Sequence, residues 1–332
     1  MNLHSSQKAV QHESMTVKQS PPPTNLAASI ARTKAAALHR SERIIALITI
    51  ATPFLAFFLA VGLLWGWGIS LLDLGLCLAM YAFTMIGITL GYHRLFTHRS
   101  FKCVAAVRAV LCIAGSMAAQ GPVFLWTAYH RRHHSCSDEA GDPHSPHLGG
   151  AGFFGTIRGW WHSHIGWMLA YHPGNYFKLI PDLIRDRLVV WLNRWYFVWV
   201  FAGLLLPAIA GGLISGTFFG FFTGFLWGGL VRVFLVHHST WSINSVCHLF
   251  GSAPYDTKDE SRNNVVCAVL TFGEGWHNNH HAFPTSARHG LRWWQFDLIY
   301  IMIRFMEMFR LAWEVKMPDA VQLATKSQSV RA

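Results

Sequence analysis

Three groups of histidines stand out in the chain because of their spacing. His277, His280 and His281 lie in the stretch EGWHNNHHAF at positions i, i+3 and i+4. On a helix, residues three and four apart lie on the same face, so three neutral imidazoles at this spacing could close on one metal ion. A helix face that is simply rich in histidine would give the same pattern once.

The same spacing occurs a second time, which favours a metal site. His130, His133 and His134 lie in HRRHH, again at i, i+3 and i+4, and GYHRLFTHRSF adds His93 and His98, five apart. On a straight α-helix an offset of five turns about 140° beyond one full turn, so this pair is expected where a helix ends. One zinc ion takes about four ligands, so these eight imidazoles predict two metal ions.

The composition predicts a membrane protein. Of the 332 residues, 52% are hydrophobic and 13% are charged, whereas soluble proteins have about 25% charged residues. Residues 1–40 lack apolar periodicity and the apolar core of a signal peptide, so they are predicted to be a disordered tail. Residues 316–332 are predicted to be a C-terminal tail.

Four uncharged or nearly uncharged apolar runs each reach the length of about 20 residues that a bilayer requires. The predicted membrane spans are 44–67, 69–92, 195–214 and 218–236. Short linkers join them into two hairpins, so we predict an all-α integral membrane fold with a cytosolic helical cap from residues 93–194 and 237–315. The stretch Val104–Trp126 carries one charge, Arg108. We expect it to lie at the interface, because a crossing would separate the histidine groups.

Basic residues are absent from two long stretches, and this predicts the orientation. No Lys or Arg lies between Arg43 and Arg94, or between Arg194 and Arg232, so all 27 fall on one side of the proposed membrane. By the positive-inside rule, the site and both termini are expected to be cytoplasmic. The net charge of +11 fits a surface that faces anionic lipid and a phosphate-bearing substrate. A nucleic-acid partner is not expected, because no recognition motif accompanies the charge.

The motifs HRLFTHRSF, HRRHH, NSVCHLFG and EGWHNNHHAFP resemble the histidine boxes of integral-membrane fatty acyl desaturases. The resemblance is to the Δ9 acyl-CoA (stearoyl-CoA) desaturase family in particular, over roughly residues 40–315. It implies two ferrous ions, O2 as co-substrate and a cis double bond introduced into a saturated acyl chain, usually at Δ9. It also implies an acyl-CoA substrate and a separate electron donor protein, either cytochrome b5-like, a ferredoxin or a rubredoxin.

The resemblance also implies a ligand set. Carried over by position, the ligands of one iron are His93, His98, His130 and His134 or their neighbours. The other iron draws on His133, His277, His280 and His281. The NSVCHLFG motif adds His248 as a ninth ligand and Asn244 as the holder of a metal-bound water, although spacing alone would make His248 a structural histidine. The other histidines are expected to lie outside the ligand set, and Glu274, Asp138 and Asp142 are candidates to orient the ligand rings.

Three other classes of protein are alternatives to this interpretation. A ferritin-like carboxylate di-iron protein needs two Glu-x-x-His motifs, and only Glu274–His277 matches one. A metal transporter would place its ionisable residues inside the spans, whereas these histidines lie outside them. A membrane di-iron lipid hydroxylase uses related histidine boxes and stays open as the alternative. The six cysteines form no C-x-x-C pair, which indicates a reducing compartment and no iron–sulfur cluster.

Overall fold

A computed structural model describes the backbone of residues 25–170 and 174–327, and the side chains of residues 40–64, 66, 68–170 and 174–327. Met1–Glu42 and Arg43–Ala332 form two compact units, and the site lies in the second. The predicted disordered tail, residues 1–40, lies outside the described residues up to residue 24. For residues 25–40 the structure differs from that prediction, because their backbone is helical.

The chain is built mainly from helices. In chain order the α-helices are α1 (Asn25–Trp67), α2 (Leu71–Ile86), α3 (Ala105–Met117), α4 (Val123–Ser135), α5 (Gly152–Trp161), α6 (Trp167–Ala170), α7 (Arg187–Arg194), α8 (Tyr196–Ser215), α9 (Phe218–Gly224), α10 (Arg232–Ser245), α11 (Val265–Leu270), α12 (His277–Ala282), α13 (Leu298–Met308) and α14 (Ala320–Lys326). Wider π-helical turns form π1 (Gly87–Thr97), π2 (His162–Gly166) and π3 (Phe225–Val231). Strands β1 (Lys102–Cys103) and β2 (Ala312–Trp313) pair antiparallel.

Among the residues that the structure describes, four helical stretches are long and apolar enough to cross a membrane: Arg40–Leu64, Leu71–Thr97, Tyr196–Ser215 and Phe218–Ser245. The first lies in α1, the second joins α2 to π1, the third is α8, and the fourth joins α9, π3 and α10. This confirms the predicted all-α membrane fold with four spanning helices. The second and fourth helices continue beyond the ends predicted for them at residues 92 and 236.

Polar residues end the short connections between paired helices. The hydroxyl of Ser70 accepts a hydrogen bond from the Asp73 amide at 3.0 Å and caps α2. Gly216 adopts a left-handed backbone with φ of 68°, which allows a tight turn, and Thr217 caps α9 by accepting from the Gly220 amide at 2.9 Å. Each N-cap provides a partner for an amide that would otherwise be unpaired at the helix start.

Helix α3 is too short to cross a bilayer. Its 13 residues extend about 20 Å, against a hydrocarbon core of about 30 Å, which agrees with the expectation that this stretch does not cross. Its C-terminal carbonyl at Met117 accepts a hydrogen bond of 2.7 Å from the buried guanidinium of Arg232, which also donates to the carbonyls of Gly203 and Gly228. Arg232 therefore ties α3 to α8 and π3.

The π-helical turn at the end of the second span determines how the first histidine pair is placed. In a π-helix the backbone bonds join residues five apart, so such residues lie nearly above one another. The amide of His98 donates to the carbonyl of His93 at 3.1 Å, and the two rings lie with centroids 4.8 Å apart. The π-helix ends at Thr97, which agrees with the prediction that this histidine pair lies where a helix ends. The wider π-helical turn is what brings the two rings together.

Candidate metal centre

Nine histidines form two adjacent groups in the described residues. In each group, one ring nitrogen per residue lies within 4.8 Å of all the others. The five-histidine group contains His93, His98, His130, His134 and His280. The four-histidine group contains His133, His248, His277 and His281, and all four are buried.

Helix α4 contributes to both groups because of its geometry. His130 and His134 are one turn apart and point together into the five-histidine group, whereas His133 points into the four-histidine group. Successive residues on a helix are about 100° apart, so His133 and His134 cannot share one direction. The helix therefore lies between the two groups and supplies both.

Helix α12 repeats this arrangement. His277 and His281, which are four apart, lie in the four-histidine group, and His280 lies in the other. The division carried over from the family resemblance placed His280 with His133, and the structure differs from it at this residue. The equal i, i+3, i+4 spacing of the two motifs hides the fact that the middle histidine turns away from the other two.

The protonation pattern of His133 and His281 fits a bound cation. The Nδ1 atom of His133 lies 3.0 Å from an Asp142 oxygen, and that of His281 lies 2.6 Å from an Asp259 oxygen. A neutral imidazole carries one N–H, and when that N–H donates to the carboxylate the Nε2 atom is left with a lone pair. The two Nε2 atoms lie 3.4 Å apart, and their lone pairs then face each other. A metal ion between the two atoms would stabilise this arrangement.

Other pairs of Nε2 atoms have the separation of two ligands on one metal. The distances are 3.1 Å for His93–His280, 2.9 Å for His134–His280 and 3.1 Å for His248–His277. With metal–nitrogen bonds of about 2.1 Å and ligand angles of about 90 to 110°, two ligand nitrogens lie about 3.0 to 3.4 Å apart. The donor set and its spacing therefore fit a histidine-ligated transition metal in each group.

The environment of His98 also fits a metal ligand. Its Nε2 atom is buried and has no hydrogen-bond partner among the described residues. Burial and the neighbouring imidazole of His134 hold the pKa of His98 well below its usual value. The ring is therefore neutral at physiological pH, which is the form that binds metal.

Carboxylates hold several of the ligand rings by their Nδ1 atoms. Asp138 contacts His248 at 2.9 Å, and Glu274 contacts His93. Burial alone would raise the pKa of the Asp138 carboxyl, but its hydrogen bond with His248 outweighs burial and lowers the pKa to about 2. An ionised carboxylate fixes the tautomer and orientation of the ring it holds, as expected from the sequence for Asp138, Asp142 and Glu274. Sequence reasoning missed Asp259.

Glu274 is itself held by a buried ion cluster. The guanidinium of Arg94 donates to Glu274 Oε1 at 3.0 and 2.9 Å, to Asp297 Oδ2 at 3.0 Å and to the carbonyl of Ala287 at 2.6 Å. Burial would raise the pKa of the Glu274 carboxyl, but its electrostatic interactions with His93 and Arg94 lower it well below its usual value. The one sequence signal for this cluster is that Arg94 directly follows His93.

The remaining predicted residues lie around the two groups. Asn244 is half-buried in the last turn of α10, one turn before His248. His144 lies 3.9 Å from Asp142, and His289 lies 3.3 Å from Glu274, so both border the site through carboxylates. Five further histidines contact groups other than the ring nitrogens of the two groups: His147, His162, His164, His237 and His238. His172 lies outside the described residues.

Comparison with known proteins identifies the family. The model of the family described as fatty acid desaturase matches residues 70–315 of this chain. The chain belongs to the fatty acid desaturase family. This confirms the resemblance carried by the four motifs, and it makes the chain an oxidoreductase of lipid metabolism whose apolar helices lie in a membrane.

Three relatives in this desaturase family illustrate its range. A hex-5-enoyl-(acyl-carrier protein) acetylenase from Moorena producens is 49% identical over 276 residues, which cover 82% of this chain and 86% of the relative. An sn-1 stearoyl-lipid 9-desaturase from Synechocystis is 39% identical over 254 residues, covering 76% and 74%. An acyl-CoA C20 Delta5-desaturase from Anemone leveillei is 39% identical over 251 residues, covering 74% of each. The acyl carriers and bond positions in these names differ.

Proposed function

We propose that this chain is an O2-dependent fatty acyl desaturase whose nine grouped histidines hold two iron ions. The observation that carries the proposal is the pair of histidine groups in which ring nitrogens converge at ligand spacing, in a chain of the desaturase family. When bound, such a centre supplies the oxidant that an unactivated methylene C–H bond requires. Asn244 would hold a metal-bound water.

The protein contributes position and charge state to this chemistry. The imidazoles of His277, His280 and His281 are buried, and burial holds their pKa values well below the usual range, so they stay neutral. Carboxylates on Nδ1 keep the rings of His281 and His133 directed at the four-histidine group. The buried position of the site excludes water from the reacting carbons, and small errors in ligand geometry cost activity.

We further propose that the substrate is a saturated acyl-CoA and that the product carries a cis double bond at Δ9. The motif resemblance supports both points, and the relatives named as a 9-desaturase and as an acyl-CoA desaturase support one point each. The reacting carbons offer no polar group to bind, so the position of the double bond depends on how deep the chain is held.

The electrons are proposed to come from a separate protein, which is cytochrome b5-like, a ferredoxin or a rubredoxin. No two of the six cysteines stand in a C-x-x-C pair, and this spacing supports a donor outside the chain. The proposed orientation has the site and both termini in the cytoplasm, where such donors are found.

The test is fatty-acid profiling of a desaturase-deficient host that expresses the chain, with chemical location of any new double bond. A Δ9 product that disappears in His133→Ala, and persists in the control His162→Ala, supports the proposal. Purified protein supplied with acyl-CoA, acyl-carrier protein or glycerolipid substrates then identifies the carrier. A hydroxylated acyl product without any unsaturated product would instead support the lipid hydroxylase.

A further inference from the structure

The C-terminal segment beyond the family match contacts both ends of the site. The match ends at residue 315, and the next residue, Lys316, joins two distant parts of the chain through its backbone. Its amide donates to the carbonyl of Ser100 at 2.9 Å, and its carbonyl accepts from the amide of Ala287 at 2.8 Å. Ser100 follows His98 by two residues, so this segment borders the first histidine motif. The start of this C-terminal segment is therefore packed against the rest of the protein, although the sequence predicted only a tail.

The other end of the segment reaches the third histidine motif. The ammonium of Lys326 donates to the carbonyl of Ala282 at 2.6 Å and lies 5.5 Å from the centre of the Phe283 ring. The carbonyl of Lys326 accepts from the amide of Asp256 at 2.8 Å, three residues before the carboxylate that holds His281. One residue thus contacts both the metal-site helix and the loop that orients its last histidine.

The segment between these contacts has its own defined structure. Asp319 and Gln322 form a reciprocal capping box at the start of α14, with distances of 2.8 and 3.0 Å. Such a box stabilises the first turn of a helix. The position of Lys326, in the last turn of α14, is therefore fixed by local structure as well as by its own contacts.

Helix α12 needs a partner at its C-terminus for physical reasons. It has six residues and carries three of the grouped histidines, whereas helices shorter than about 12 residues are marginal on their own. Its last carbonyls have no partner within the helix, and a cation at this end is favourable. Lys326 supplies both a donor and a positive charge at Ala282.

We propose that residues 316–327 form a strap that holds α12 in place, with Lys326 as the positioning residue for His280 and His281. Lys326 touches no grouped histidine and acts through the carbonyl of Ala282. The proposal of a strap depends on the proposed function only for the identity of the metal ion, because every contact that defines the strap joins two groups of the protein.

The experiment compares full-length purified variants. Lys326→Met removes the donor and the charge, and Lys316→Met is the matched control, because the Lys316 side chain is exposed and its strap contacts are made by the backbone. Iron release to a chelator should be about five to ten times faster in Lys326→Met, since a hydrogen bond from a charged group is lost. Lys316→Met should match the parent, and Lys326→Arg should restore slow release.

A second readout separates the strap from the metal proposal. Amide hydrogen exchange in residues 277–283 of metal-free protein should be faster in Lys326→Met than in Lys316→Met. If the parent holds two irons and all variants release them alike, the strap is wrong. If the parent holds no iron, the proposed function fails, and hydrogen exchange alone decides for or against the strap.

Discussion

His280 and His281 are consecutive residues, yet their imidazoles belong to different histidine groups. Their ring planes are perpendicular, at 90°, with centroids 5.5 Å apart. The step of about 100° between neighbouring helix positions turns one side chain toward each group. Both histidine groups therefore take side chains from α12, so substitutions of neighbouring residues in this helix can change the two groups separately.

We expect His280→Ala and His281→Ala each to lose mainly one metal ion. Each substitution removes one ligand from one group, so the iron content should fall from about two ions per chain to about one, and activity should be lost because the positions of the metal ligands tolerate little change. Elemental analysis of purified protein measures the iron, and His162→Ala serves as the control outside both groups. Retention of two irons in both variants would contradict this grouping.

Asn244 and His248 should behave differently from each other. His248→Ala removes a member of the four-histidine group, so both iron content and product should fall. Asn244→Ala should keep most of the iron and lose activity by about ten- to a hundredfold, because it would act through a bound water. Product profiling together with iron analysis checks both. If the two variants match the parent, the ligand set shrinks to the eight histidines of the three motifs.

Asp259 should matter for metal binding, although no sequence motif marks it. Asp259→Asn replaces the carboxylate that accepts from His281 Nδ1 at 2.6 Å, and iron affinity should fall by about ten- to a hundredfold. Glu260→Gln is the matched control, because Glu260 is exposed and its carboxylate contacts Arg262. Competition with a calibrated chelator measures the affinity. Equal affinities for both variants would show that His281 needs no such support.

Removing the metal should lower the thermal stability of the protein. In the metal-free state the Nε2 lone pairs of His133 and His281, 3.4 Å apart, face each other without a cation between them. A ligand present at about a thousand times its Kd stabilises the folded state by about 4 kcal/mol. Thermal unfolding in detergent should thus show a lower Tm after chelation and recovery on adding ferrous iron. An unchanged Tm would mean that the groups hold no stabilising ion.

Both termini should be accessible from the cytoplasm. All 27 Lys and Arg residues lie outside the stretches between Arg43 and Arg94 and between Arg194 and Arg232, and the positive-inside rule places them in the cytoplasm. Impermeant labelling of cysteine tags at residues 1 and 332 in intact cells measures this. Labelling of either tag from outside the cell would exclude the model of four spans with cytoplasmic ends.

Local spacing in the sequence was enough to find most of the site. The i, i+3, i+4 motifs identified six histidines, because a helix of known pitch fixes which residues share a face. The apolar runs predicted the four spans because about 20 consecutive apolar residues are needed for a helix to cross the bilayer. His248 needed the family resemblance, since no second histidine lies one turn away from it in the chain.

The parts that sequence reasoning missed depend on contacts between distant segments. Asp259 lies in an irregular loop 22 residues before His281, and no periodicity connects them. Arg94 meets Asp297 across 203 residues. The grouping of His280 follows from where α12 lies relative to α4, which no single helix reveals. The π-helical turn at residues 87–97 also escaped, because its apolar pattern reads like that of an α-helix.

That π-helical turn takes up one residue of chain length before the first histidine motif. A π-helical turn contains about one residue more than an α-helical turn. If the segment between Gly87 and Tyr92 closed as a regular α-helix at unchanged length, every later residue would move on by one helix position. The helix before it is anchored by its buried face, so that closure would rotate His93 by about 100° and swing it out of the five-histidine group. A deletion of one residue within this segment would thus be better tolerated than the same deletion in α2, because closing the wider turn as an α-helix would compensate for it.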